Sequence, residues 1–230
     1  PEKIGIYSNS MNKLDVLHFN SDSLLYVKTL HFPLCNKQRG IPKAYTRLIQ
    51  YNDSLFIGTS FMPKEISVEL MNLKTEKVVN SVNFPLKPKE GEYSRPYECK
   101  IATEMNFIVA AYRYINRLEI YKLSDQKFQL NTIIGDANNQ YDLYRLNKDN
   151  EMILHYSDIV CGKNQIYALY RGVKEKELSS ANSKIEVYSY DGTHLRTFDL
   201  GRSIEKILVD ESSMRIYAFD RNEEKDIVFC

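Results

Sequence analysis

A six-residue pattern recurs along the chain and constrains its fold more than any other feature. The copies span residues 14–19, 68–73, 118–123 and 185–190, with a shorter copy at 226–229. Each full copy reads aliphatic, acidic, aliphatic, large, any residue, large. Because side chains alternate between the two faces of a strand, Ile120 would lie on one face and Tyr121 and Leu123 on the other. Both faces are largely apolar beyond the acidic position, which predicts sheets packed between other sheets.

Three further strands accompany each copy, so the repeating unit has four strands, which we name a, b, c and d. The pattern above is strand c. A short polar turn and strand d follow it, at 24–32, 77–84, 128–134 and 194–200, and Asp191-Gly192 is a strong hairpin signal. Strand b precedes it, starting at residues 6, 56, 108, 166 and 216. Strand a comes first, at 45–50, 99–103, 157–161 and 206–209.

The third position of strand b holds a small residue in every copy. These residues are Ser8, Gly58, Ala110, Ala168 and Ala218. A small side chain there would let neighbouring sheets approach closely. A period of roughly 50 residues with four strands per unit is typical of a β-propeller.

The sequence therefore predicts an all-β fold, a β-propeller of four-stranded antiparallel blades forming one domain over residues 1–230. The predicted parts are a partial blade at 1–32, blades at 44–84, 97–134 and 152–200, and a partial blade at 204–230. Six blades would need about 24 strands, and the pattern supplies 18. We therefore expect about 80 to 100 further residues before Pro1, completing six blades. A five-bladed ring is the alternative.

Composition and motifs argue against several function classes. The 31 basic and 30 acidic residues nearly cancel, so no net field favours nucleic acid. The sequence contains no run of about 18 apolar residues, so it predicts no transmembrane helix. The four cysteines form no CxxC pair, and the four histidines have no ligand spacing. No nucleophile or phosphate-loop motif occurs, so the sequence predicts no catalytic residue, metal site or cofactor.

The acidic position of strand c recurs once per unit, which favours a structural role. Its members are Asp15, Glu69, Glu119, Glu186 and Asp226. We expect each to pair with a neighbouring group, such as a basic residue in the adjacent strand.

Candidate binding residues come from two long connections and from the a strands. Residues 87–96 and 136–150 are long inter-blade loops that combine tyrosine with arginine. The a strands line the channel of a propeller and offer a mostly basic set. The candidates are Tyr93, Arg95, Tyr97, Tyr141, Tyr144 and Arg145 in the loops, and Arg47, Lys100, His155, Asp158 and Lys206 in or beside the a strands. A polar insertion at 174–183 is predicted to be a surface hairpin loop between strands b and c.

Several blade motifs resemble a known family. They are Ser157-Asp158-Ile159-Val160 with 166–170, Ile185-Glu186-Val187-Tyr188 before Asp191-Gly192, and Ile216-Tyr217-Ala218-Phe219. These stretches are similar to the TolB-like six-bladed propeller proteins, mostly uncharacterised cell-envelope lipoproteins of Gram-negative gut bacteria. The resemblance implies six blades, a C-terminus on a c strand, and an envelope location through a lipid anchor before Pro1. It transfers no catalytic residue.

The favoured function is a non-catalytic binding or interaction module at the bacterial cell envelope, with a protein or glycan partner. Its ligand would be anionic or hydroxyl-rich, because the a strands lean basic. A propeller hydrolase or lyase acting at the channel mouth is the alternative. A cluster of inward carboxylates and histidines would favour that enzyme, whereas the basic a strands disfavour a divalent-cation site. A structural spacer is the third possibility.

Overall fold

The structure is a computed structural model that describes residues 3–8, 13–20, 23–32, 45–62, 65–75, 77–85, 99–104, 106–136, 152–219 and 227–229. Most of these residues lie in antiparallel strands. The chain divides into two compact units, Pro1–Pro85 with Asp125–Phe128, and Leu86–Ser124 with Gln129–Cys230. No helix in the described part of the chain is long and apolar enough to cross a membrane.

The first unit holds two antiparallel sheets. Its strands are β1 Lys3–Ser8, β2 Lys13–Asn20, β3 Ser23–His31, β4 Tyr45–Gln50, β5 Leu55–Met62, β6 Glu65–Asn72 and β7 Lys77–Pro85. The sheet orders are β1-β2-β3 and β4-β5-β6-β7, so each sheet is a meander in chain order. Its apolar core includes Phe32, Tyr45, Phe56 and Met71.

The second unit holds three antiparallel sheets. Its strands are β8 Cys99–Glu104, β9 Phe107–Tyr112, β10 Arg117–Ser124, β11 Lys127–Gly135, β12 Ile153–Cys161, β13 Gln165–Lys174, β14 Lys184–Ser189, β15 His194–Asp199, β16 Lys206–Asp210, β17 Arg215–Phe219 and β18 Ile227–Phe229. The orders are β8-β9-β10-β11, β12-β13-β14-β15 and β16-β17-β18. A short 3-10 helix, Glu175–Glu177, follows β13.

The predicted four-stranded antiparallel units are confirmed. Strand a of the fourth unit is longer than predicted: β12 begins at Ile153 rather than at residue 157. Its pairing with β13 contains two register shifts around Tyr156. These β-bulges hide the strand from a period-two pattern. They also place His155 inside the strand rather than before it.

In three units the small residue of strand b lies directly opposite the acidic residue of strand c, whereas in the first unit Ser8 pairs with Lys13 and Asp15 lies opposite Ile6. The register pairs Gly58 with Glu69, Ala110 with Glu119, and Ala168 with Glu186. A Cβ on Gly58 would lie 2.6 Å from Tyr45 Cδ1 and 2.6 Å from Met71 Cε, both in the same sheet. At this position the small residue makes room inside its own sheet, so our explanation through neighbouring sheets was wrong for Gly58.

The acidic residues have the structural role we expected, but tyrosine hydroxyls are their most frequent partners. The hydroxyl of Tyr45 on β4 donates to Glu69 on β6 at 2.6 Å, across the intervening strand β5. Glu186 accepts from Tyr188 at 2.8 Å and from Tyr156 at 3.3 Å. We expected a group such as a basic residue of the adjacent strand, whereas the partners in these hydrogen bonds are tyrosines. At Gly58 the space left by the small residue admits the Tyr45 ring. Asp226 lies outside the described residues.

Two acidic residues do have a basic partner, but on their own strand. Arg117 lies two positions before Glu119, with Nη2 2.6 Å from Oε1. Lys13 lies two positions before Asp15, at 3.2 Å. Side chains two apart share a face of a strand, so the contact needs no cross-strand register.

We predict that Tyr45→Phe lowers the free energy of unfolding by about 1–3 kcal/mol, because it removes a hydroxyl donor from a buried carboxylate. Tyr45 and Glu69 are 0% and 4% exposed. Urea unfolding measures the change. Tyr26→Phe is the matched control: its hydroxyl bonds Thr29 at 2.9 Å on an exposed surface, so we expect less than about 0.5 kcal/mol. Equal effects of the two variants would contradict a structural role for the carboxylate.

Candidate functional site

Three a strands of the second unit contribute to one cleft. Strand β12 packs against both β8 and β16. The cleft has a volume of about 560 Å³ and is lined by Lys100 of β8, Asp158 of β12 and Lys206 of β16, among others. We call it the lysine cleft. Its volume lies within the usual range for small-ligand sites.

The lysine cleft is rich in charged groups. Its basic residues are Lys100, Arg113, Arg171, Lys176 and Lys206, and its acidic residues are Asp158, Glu175 and Glu205. Five basic and three acidic side chains leave a formal excess of two positive charges. The side chains of Lys100 and Lys206 are exposed, and within the described residues neither ammonium group has an ion pair within 4 Å. The cleft therefore presents cationic groups to solvent.

Asp158 lies between these two lysines. Its Oδ2 atom accepts a hydrogen bond from the backbone N–H of Ile207 at 3.0 Å. Burial raises the pKa of the carboxyl above its ordinary value, while the Ile207 bond and the charges of Lys100 and Lys206 oppose the rise. Asp158 therefore ties the start of β16 to β12 at the base of the cleft.

The raised pKa predicts a pH-dependent stability. The folded state holds the Asp158 proton more tightly than the unfolded state, so this contribution is present below the ordinary pKa of 3.8 and is lost as pH rises through the folded pKa. Asp158→Asn cannot ionise. We expect the unfolding free energy of this variant minus that of the wild type to increase from about pH 4 to about pH 7, measured by urea unfolding.

Asp210→Asn is the control for this pH dependence. Hydrogen bonds from Ser212 and Ser213 lower the pKa of Asp210 to about 2. The unfolding free energy of Asp210→Asn minus that of the wild type should therefore not change above about pH 5, because the Asp210 carboxyl is ionised in both the folded and the unfolded wild type there. A flat profile for Asp158→Asn as well would show that its carboxyl is not perturbed by burial.

One wall of the lysine cleft is the segment 174–183, which we call the strap. It begins where the Glu175 N–H donates to the carbonyl of Met152 at 2.9 Å. The Glu175 carboxylate accepts from the Tyr114 hydroxyl at 3.1 Å and lies 3.9 Å from Arg113 Nη2. The start of the strap is thus joined to β12 and to the β9–β10 connection.

Arg171 holds the middle of the strap. This side chain is buried, and its Nη2 donates to the carbonyl of Leu178 at 2.5 Å and to the Ser203 hydroxyl at 2.8 Å. Its Nη1 donates to the carbonyl of Ile204 at 2.5 Å. One guanidinium therefore fastens the strap to residues 203–204, which precede β16, using the fixed fork geometry of arginine.

The end of the strap is joined to the same connection. Ser183 N–H donates to the Arg202 carbonyl at 2.7 Å, and its hydroxyl accepts from the Ile204 N–H at 2.7 Å. Sequence patterns predicted a surface hairpin loop at 174–183. The segment does connect the paired strands β13 and β14, and most of its residues are exposed or half-buried. Its contacts were not predicted: it contains the 3-10 turn Glu175–Glu177 and is held at its start, middle and end, because polar groups of the insertion meet groups of other segments.

The predicted site residues have different outcomes. Lys100, Asp158 and Lys206 lie together in the lysine cleft. Arg47 lies in β4 of the other unit, and the structure does not describe its side chain. The loop candidates are outside the described residues: Tyr93, Arg95, Tyr97, Tyr141, Tyr144 and Arg145. The role of all these residues in binding stays a prediction.

His155 lies on β12 but is not among the described residues that line the cleft. Its backbone N–H donates to the Arg113 carbonyl at 2.6 Å, and its ring lies 6.0 Å from that of Tyr170. Burial lowers the pKa of the imidazole. Its Nδ1 has no hydrogen-bond partner within the described part of the chain. These contacts make it a packed residue beside the cleft.

Sequence reasoning did not identify Arg113 and Arg171 as cleft residues. For Arg171, one signal was available, because a charged residue directly after the apolar run of strand b must find buried partners or reach solvent. Among the described residues, no group of three or more His, Cys, Asp or Glu side chains is placed to hold a metal ion. Cys99 and Cys161 are free thiols.

The sequence profile described as TolB-like 6-blade propeller-like matches residues 1–212. The chain belongs to this TolB-like family. The predicted resemblance is therefore confirmed. The motifs that carried it lie after residue 152, whereas the family match also covers the TolB-like chain from residue 1 onwards. A search of curated proteins returned no match.

Solved structures share the propeller fold of this TolB-like chain at low sequence identity. The WD40 domain of Toxoplasma gondii coronin is 8% identical with a TM-score of 0.56, over 98% of this chain and 52% of that one. The β-propeller domain of Myceliophteria thermophila Cps50 (Swd1) is 7% identical with a TM-score of 0.53, over 95% and 64%. The chain thus spans about half to under two-thirds of these two proteins, and at such identity the likeness concerns the fold alone.

Proposed function

We propose that this TolB-like chain is a non-catalytic binding or interaction module of the bacterial cell envelope, carried there by a lipid anchor. Its partner is a protein or glycan that presents an anionic or hydroxyl-rich group. Membership of the TolB-like family supports the envelope assignment, since the resemblance implied it. Binding sites on a rigid β scaffold usually lie where loops and strand ends meet.

The observation that carries the proposal is the convergence of Lys100, Asp158 and Lys206 in one cleft. These residues come from three separate sheets, and the strap provides a fixed wall beside them. A concave site with a few convergent polar groups is the usual form of a ligand pocket. We further propose that the two long loops predicted from the sequence, at 87–96 with the adjoining Tyr97 and at 136–150 with Tyr144 and Arg145, take part in binding.

A glycan array together with pull-downs from envelope extracts tests this proposal. We expect the wild type to retain a partner that the Lys100→Ala/Lys206→Ala variant loses. The Lys122→Ala/Lys163→Ala variant is the matched control, since both of its lysines are exposed and lie outside the cleft. Lactone or glycoside turnover by the wild type would instead support the hydrolase or lyase alternative.

The contribution of the loops is tested separately. We expect the Tyr97→Ala/Tyr144→Ala/Arg145→Ala variant to bind the retained partner at least about tenfold more weakly, because tyrosine and arginine provide most of the energy of typical interfaces. Titration of the purified partner measures the change. If the triple variant binds that partner unchanged, the loop face is not the binding face.

A further inference from the structure

We infer that the lysine cleft recognises a compact anion, a carboxylate or phosphate group held between Lys100 and Lys206, and that the strap selects the hydroxyl-bearing remainder of the ligand. This inference rests on the proposed function and adds a ligand class to it. A neutral partner in the same cleft would satisfy the proposed function but not the inference.

The first argument concerns charge. Lys100 is the second residue of β8 and Lys206 the first of β16, the two strands that pack against β12, and both side chains are exposed and line the cleft. The acid between them is already engaged, because Asp158 accepts the Ile207 N–H. Glu175 is likewise engaged by the Tyr114 hydroxyl and Arg113. Within the described residues neither lysine has an ion pair within 4 Å, and the cleft keeps a formal positive excess even with Asp158, Glu175 and Glu205 counted. The two lysines are therefore available to an incoming anion, for which a compact ammonium group is a suitable partner.

The second argument concerns the remaining lining. Ser157, Ser179 and Ser203 line the cleft with hydroxyl groups, of which Ser157 and Ser203 donate to the carbonyls of Leu169 and Leu178. Leu154 and Leu178 supply a small apolar area. No aromatic ring is present among the described lining residues. Hydroxyls and cations without a stacking platform suit a polar anion better than a neutral aromatic ligand. A volume of about 560 Å³ accommodates a ligand of oligosaccharide size.

The third argument concerns the strap. Hydrogen bonds fix it at Glu175, Leu178 and Ser183, so its exposed Lys176 and Ser179 side chains are presented to the cleft from a held backbone. A wall that is ordered before binding lowers the entropic cost of association. Arg171 lines the cleft, but its guanidinium donates to Leu178, Ser203 and Ile204, which makes it a positioning residue.

Three probes test the anion class by isothermal titration calorimetry of the full chain: trigalacturonate, inorganic phosphate and maltotriose. We expect trigalacturonate to bind, phosphate to compete with it, and maltotriose not to bind. Binding should weaken at least about tenfold in Lys100→Ala/Lys206→Ala and at most about twofold in Lys122→Ala/Lys163→Ala. Binding of trigalacturonate without competition by phosphate assigns the site to carboxylates. Failure of both anions to bind, or tight binding of maltotriose, overturns the inference.

Arg171→Lys tests the positioning role. We expect this variant to bind trigalacturonate about tenfold more weakly while its affinity for inorganic phosphate changes less than about twofold. Phosphate would contact the lysine pair alone, whereas the larger probe also needs the strap. A general loss of structure would weaken both probes equally, and that result overturns the selective role of the strap. A partner that carries no anionic group, but that the Lys100→Ala/Lys206→Ala variant loses, would leave the proposed function standing and overturn this ligand class.

Discussion

Gly135→Ala is expected to destabilise the second unit by roughly 3 kcal/mol or more. Gly135 ends β11 at φ +83°, a backbone conformation that residues with a Cβ adopt at a cost of about 1–2 kcal/mol. The added methyl group would lie 2.0 Å from the carbonyl oxygen of Asn116 and 3.0 Å from its carbonyl carbon. Both atoms are backbone, so the clash cannot be relieved by rotating a side chain. The Asp136 N–H donates to the same carbonyl at 2.7 Å, so a backbone shift would also disturb this bond.

The matched control is Gly201→Ala. Gly201 has φ +64°, and a Cβ built there meets no atom within 4 Å. This substitution therefore carries the conformational cost alone, about 1 kcal/mol. Urea unfolding of both variants separates the two contributions. Equal losses would show that the contact between Gly135 and Asn116 does not constrain the sheet.

Arg117→Met is expected to lower the free energy of unfolding by about 3–5 kcal/mol, because it leaves a buried carboxylate without its cation. The side chains of Arg117 and Glu119 are 9% and 8% exposed. Arg117 Nε and Nη2 lie 2.7 Å and 2.6 Å from Glu119 Oε1, and Nη1 donates to the Asp136 carbonyl at 3.1 Å. Tyr121 donates to the other carboxylate oxygen at 2.6 Å.

The double variant Arg117→Met/Glu119→Leu completes the measurement. Removing both charges avoids the uncompensated carboxylate, so the double variant should be more stable than Arg117→Met alone. Unfolding in guanidinium chloride of the wild type, Arg117→Met, Glu119→Leu and the double variant gives the coupling energy between the two side chains. A double variant that loses the sum of both single effects would contradict a buried, mutually dependent pair.

The strand order was predictable because each blade repeats the same local signals. Alternation of apolar residues fixes the faces of strand c, and turn residues fix its ends. The Asp191-Gly192 turn illustrates this: Gly192 has φ +92°, and the Asp191 carboxylate accepts from the Thr193 N–H at 2.9 Å. Signals of this kind are local, so they can be detected in a single sequence.

The lysine cleft was predictable only in part. Lys100, Asp158 and Lys206 were identifiable because strand a occupies the same position in every unit. Arg171 and the strap were not, because their contacts join residues far apart in the chain, such as Arg171 with Ser203 and Glu175 with Tyr114. An insertion breaks the repeat, so repetition gives no information about what it contacts.

The tyrosine partners of the acidic residues show a similar limit. The acidic position repeats in every unit, which made a structural role evident. Its donors repeat only in part. Tyr121 and Tyr188 reach Glu119 and Glu186 from two positions further along the same strand, and Tyr45 of β4 and Tyr156 of β12 reach Glu69 and Glu186 from the first strand of their sheets, so no single donor position serves every unit. Burial raises the pKa of Tyr121 and Tyr188, which keeps these hydroxyls protonated as donors.

The location of bound ligand tests the central claim most directly. Hydrogen–deuterium exchange of the wild type, with and without trigalacturonate, reports which backbone segments the ligand protects. A ligand in the lysine cleft would protect residues 99–104, 153–158, 174–183 and 201–206. A second groove of about 330 Å³, lined by Gln165, Phe198 and Arg215, lies in the same unit. Protection confined to that groove, with none in the four segments above, would contradict the account.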